Sequence, residues 1–138
     1  MRVMVLMLMK QGEALPPPTP EALLAMHEYT EELRKAGVLL DLAGLTPPSS
    51  GARVKFKGSK RTVIDGPFTE AKELIAGYQL LEVKSLAEAV EWAKRAPFGR
   101  GDHDNLEVEV EIRPLFDPSE FDVPGEAEER AARQAASP

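Results

Sequence analysis

The chain has 138 residues, a formal charge of −6 and no cysteine. That bounds it to one domain with a single core and excludes disulfides, thiolate nucleophiles and cysteine-ligated metals. The charge is uneven, because residues 117–138 carry six acids and two bases, and no overall basic field exists to recruit nucleic acid.

The nearly continuous apolar run Met1 to Met9 predicts a central strand buried on both faces. It is too short to span a bilayer and lacks the basic flank and cleavage site of a secretory signal, so no membrane partner and a cytoplasmic location are expected. Residues 10–19, with Gly12 and Pro16-Pro17-Pro18, form a stiff connector. Thr19 as cap and Pro20 at the first helical position start a helix that Gly37 ends. Ala22, Met26, Tyr29, Leu33 and Ala36 share its apolar face, while Glu28, Glu31 and Lys35 lie opposite. Residues 38–45 predict a strand with Asp41 interrupting it and Gly44 permitting a bend. Arg53 to Phe56 and Arg61 to Ile64 flank Gly58-Ser59 as a β-hairpin, and Ile75 to Val83 is a further strand. Ser85 and Glu88 form a capping box for a helix through Arg95. Leu106, Val108, Val110 and Ile112 alternate with charged residues in the last strand.

The order predicts an α+β class: a ferredoxin-like β-α-β-(hairpin)-β-α-β unit over residues 1–116, followed by an acidic tail, 117–138. Helices would cover one sheet face, and a homodimer is the simplest cover for the other.

Several residues are candidates for chemistry. Asp65 sits where Val63-Ile64 ends and Gly66-Pro67 begins, a position suited equally to a functional carboxylate and to bonding the turn amides. His27 borders the apolar stripe of its helix beside Leu23, Thr30 and Arg34, where it serves either as a proton carrier or as a surface or hydrogen-bonded histidine. Glu111 and Arg113 share the charged face of the last strand, where the arginine suits a small anionic ligand and an internal salt bridge is the alternative. Tyr78 joins them as a substrate-binding candidate. His103, in Gly101-Asp102-His103-Asp104-Asn105, lacks the spacing of a metal site, so no metal is expected. With no glycine-rich nucleotide loop, no cofactor is implied. Arg53, Lys55, Lys57, Lys60 and Arg61 make the hairpin basic, but their alternation with Val54 and Phe56 describes a half-buried hairpin rather than a nucleic-acid platform.

Asp65-Gly66-Pro67-Phe68 resembles the signature of the DGPF branch of the YCII-related domain family. The opening strand, His27 to Gly37 (HEYTEELRKAG), Gly44-Leu45, Thr69 to Glu73, Gly77-Tyr78 and Val110 to Pro114 (VEIRP) agree with it in order. The resemblance implies a dimeric α/β barrel with clefts near its ends, and it makes His27 the proposed active-site histidine. The helix position that is acidic in some relatives is Lys35 here, which leaves Asp65 and Asp41 as its candidate partners. Two functions are implied: a small lyase- or isomerase-like enzyme using a His/Asp pair on an anionic substrate, or a non-catalytic ligand-binding or regulatory module of the kind associated with sigma-factor signalling.

Overall fold

The computed structural model describes residues 1–10, 18–66, 73–98, 108–120 and 132–133. The proline triplet's first two members, Pro67 to Lys72 of the signature region, the His103 loop and most of the tail lie outside the described residues. The elements are β1 (Arg2–Lys10), α1 (Pro20–Lys35), β2 (Leu39–Gly44), β3 (Ala52–Lys57), β4 (Lys60–Asp65), β5 (Glu73–Glu82), α2 (Leu86–Lys94) and β6 (Glu109–Pro114), with single 3-10 turns at Pro48–Ser50 and Pro118–Glu120.

The helix ends follow their residues. The Thr19 hydroxyl accepts from the Ala22 amide at 3.1 Å, with Pro20 opening α1. Gly37, at φ +72°, closes it: its amide donates to the Arg34 carbonyl, and that of Val38 to the Leu33 carbonyl. Those two bonds satisfy carbonyls that the last turn leaves open, and they turn the chain into β2. At α2, Ser85 Oγ accepts from the Glu88 amide at 3.1 Å, but the returning Glu88 carboxylate takes the Lys84 amide at 3.4 Å rather than that of Ser85.

Four strands form an antiparallel sheet in the order β2-β5-β1-β6, so β1 is central as its apolarity predicts. The residues of β1 alternate in side. Val3 and Val5 are buried and pack with Tyr29 and Leu33 of α1, with Leu81 of β5 and Val83 just after it, and with Ala89 of α2, while Val110 and Ile112 lie against them. Met4, Leu6 and Leu8 point to the other, open side and are only partly buried. The expectation of burial on both faces is thus corrected, since both helices stand on one side and the other carries no described layer.

The expected dimeric α/β barrel is also corrected. The four-stranded sheet ends in β2 on one edge and β6 on the other, and these do not pair; β3 and β4 form a separate two-stranded sheet. Neither described sheet closes into a barrel. The class is α+β with two open sheets.

The hairpin is peripheral. Every residue of β3 and β4 is exposed, including Phe56 at 66% and Val63 at 67%. The half-buried hairpin predicted from alternation is therefore exposed on both faces, with the Arg61 guanidinium resting 4.6 Å from the centre of the Phe56 ring. Gly58 supplies the positive φ, +59°, at its turn.

Candidate functional site

The two faces of the sheet present different chemistry. On the open side, the register places Tyr78 and Glu111 on either side of Leu6, and Leu80 and Arg113 on either side of Met4. Asp41 stands opposite Leu80 on edge strand β2, because an irregularity after Leu39 shifts the alternation and carries its carboxylate outward. There Asp41 Oδ2 accepts from the Tyr78 hydroxyl at 3.1 Å, and Oδ1 accepts from the Leu42 amide at 2.8 Å. The hydrogen bond to Asp41, reinforced by that carboxylate's charge, raises the Tyr78 pKa above the usual phenol value. The phenol therefore holds its proton and stays a donor. Four residues read from the sequence as candidates, Asp41, Tyr78, Glu111 and Arg113, thus share one face, but only Asp41 and Tyr78 are joined by a bond among the described residues.

His27 and Asp65 are placed elsewhere. His27 is exposed on α1, with Leu23 exposed one turn earlier and Arg34 paired with Glu31 at 2.7 Å. No hydrogen bond or ion pair joins the imidazole to another described residue. Asp65 ends β4 opposite Ala52 and is also exposed. Its neighbour Gly66 has a steric role: its amide donates to the Gly51 carbonyl at 3.1 Å, and a Cβ there would overlap the Pro48 carbonyl oxygen. The described half of the signature, Asp65-Gly66, thus seats the hairpin base on the Pro48–Ser50 turn. Gly66→Ala is expected to push the two backbones apart at a local cost of about 1–3 kcal/mol. Hydrogen exchange at the Arg53 to Ile64 amides should quicken while the sheet amides of β1 stay protected; unchanged hairpin protection would refute the steric role.

On the helix side lies a cavity of about 210 Å³. Its walls are Met26, Tyr29 and Thr30 of α1, Ala93 of α2, and Ala96 and Phe98 beyond it; Val5, Met7, Gln79 and Val110 come from the sheet. Two polar wall groups are already engaged. The Tyr29 hydroxyl donates to the Trp92 carbonyl at 2.8 Å, and the Thr30 hydroxyl to the Met26 carbonyl at 2.8 Å. Burial pushes the Tyr29 pKa up to about 12, partly countered by Arg95.

His27, Asp65, Glu111 and Arg113 do not line this cavity; Tyr78 does. Nothing in the sequence alone marks Gln79, Gly44 or Gly77 as site residues. Gly44-Leu45 and Gly77-Tyr78 agree separately with the family pattern, and only strand register shows that the two glycines face each other. Among the described residues, no group of three or more His, Asp or Glu side chains is placed to hold a metal ion, and no helix is long and apolar enough to cross a membrane.

The family model of the YCII-related domain matches residues 1–115. An uncharacterized protein of Rhizobium meliloti (strain 1021) is 37% identical over 60 residues, which are 44% of this chain and 48% of the relative. The match thus spans about half the length of that curated relative.

Proposed function

The chain belongs to the YCII-related domain family, and within it we propose a small-molecule-binding protein whose ligand lies between the helices and the sheet. The cavity carries this reading: it is concave and largely apolar, and its few polar groups converge from two elements, which is how small-ligand sites are built. In this reading His27 and Asp65 serve no chemistry on the ligand, and Arg113 and Glu111 belong to the solvent-facing edge of the open face.

A proton-transfer enzyme of lyase or isomerase type is the second reading, favoured by one observation. The Tyr78 phenol, held by Asp41, is a positioned hydrogen-bond donor on a sheet whose same face presents Arg113.

Ligand-induced thermal shifts across a library of small neutral and anionic compounds separate the two. A ligand held at about 100 times its Kd stabilises by about 2.7 kcal/mol. The binding reading expects neutral compounds to give the shifts, with His27→Gln and Asp65→Asn responding as the parent does. Selection of anionic compounds, with the shift lost in Arg113→Ala, would move the site to the open face and favour the enzyme.

A further inference from the structure

Two residues without side chains line the cavity. Gly44 and Gly77 face each other across β2 and β5 on the side toward the helices, in line with Met7 of β1. A Cβ at Gly44 would meet no atom within 4 Å, whereas one at Gly77 would lie 2.9 Å from the Ala43 carbonyl oxygen. Neither glycine has a positive φ. Gly77 is thus held by close backbone approach, while Gly44 leaves open space where a Cβ would stand.

The walls state what fits. No charged side chain lines the cavity among the described residues, so a charged ligand would shed its hydration without compensation. Met7, Met26 and Phe98 offer sulfur and ring contacts suited to an aromatic group. A dry cavity of about 150 Å³ accommodates benzene, so about 210 Å³ takes one substituted ring. Gln79 supplies the remaining chemistry. It projects from β5 opposite Val5, on the core side of a central strand, and its amide has no hydrogen-bond partner among the described residues. A half-buried carboxamide, donor and acceptor together, is there to be satisfied by a group of matching kind.

Resting on the small-molecule reading above, we infer that the ligand is a single-ring aromatic molecule bearing one uncharged hydrogen-bonding substituent. Its ring lies over the Gly44–Gly77 floor and its substituent bonds the Gln79 amide.

The test titrates the full chain with benzamide, toluene and benzoate, following the methyl resonances of Met7 and Met26. Benzamide is expected to perturb both and saturate, and benzoate to bind at least about tenfold more weakly, as desolvating a charge without a partner requires. Gly44→Val, which occupies the floor, should abolish binding of benzamide and toluene alike while its melting temperature stays at or above the parent's. Gly44→Ala should lie between. Gln79→Leu should weaken benzamide by about tenfold, the worth of one hydrogen bond, and leave toluene unchanged. If benzamide and toluene bind normally but Gln79→Leu changes neither, the assignment of the polar anchor fails and the cavity reading stands. If no probe perturbs the two methyls, or binding survives Gly44→Val, the cavity is not the ligand site and both fail.

Discussion

Leu33→Ala is expected to remove about 3–5 kcal/mol of stability, enough to leave a domain of ordinary stability marginal or unfolded. Leu33 is fully buried, and so are Val3 and Leu81 in the cluster around it. Through this residue α1 grips the two central strands, so its removal leaves a void that neither the hydrogen-bonded sheet nor the capped helix can collapse to fill. Chemical denaturation read by the single tryptophan should show the midpoint falling with little change in slope. Leu33→Met, which conserves volume, should cost under about 1.5 kcal/mol. A loss below about 1 kcal/mol for the alanine variant would mean that α1 is not anchored here.

The second large effect is alkaline. The Tyr29 phenol is raised from 10.0 to about 12 by burial, and the residue is only 5% exposed. Between those values the unfolded chain loses this proton and the folded chain keeps it. The folded state binds more protons, so stability is fully present below pH 10 and falls as pH rises toward 12, by on the order of 2–3 kcal/mol. The raised pKa of Tyr78 acts with the same sign, but it sits on the open face and belongs to a different bond. Urea unfolding at several pH values from 9 to 12 measures the slope. Tyr29→Phe should be somewhat less stable at pH 8, by about 1 kcal/mol for the lost bond to the Trp92 carbonyl, and should decline less steeply above pH 10. Parallel slopes for parent and variant would show that the phenol ionises freely in the folded protein.

Much of the architecture was legible because local chemistry and global position agree. Thr19-Pro20 and Gly37 frame α1, its stripe from Met26 to Leu33 is the one that packs, and the alternation of Val110 and Ile112 with Glu109 and Glu111 marks the sides of β6. What stayed hidden depends on register between distant strands. That Asp41 bonds Tyr78 follows from the irregularity after Leu39, and that Gly44 meets Gly77 follows from the pairing beyond it. A slip of one residue would send each of these to the opposite face, and no local pattern in either segment reports the offset. The barrel failed for another reason. It came from resemblance and from the apolarity of Met1 to Met9, and an apolar strand shows that something should cover it without showing what. Asp65-Gly66 was legible as a turn, but the carbonyl of Pro48 that demands a glycine lies too far back along the chain to be inferred.

Among the described residues, the hairpin of β3 and β4 is joined to the rest of the domain at its base, where Gly66 and Gly51 meet the Pro48–Ser50 turn. Selection for a well-packed interior therefore exerts little hold on the residues between. Exchanging, lengthening or shortening this arm would disturb the packed interior of β1, α1 and β5 little. Divergence among descendants of one ancestor should accumulate at its tip, and two proteins with the same interior can meet different surroundings by altering the arm alone.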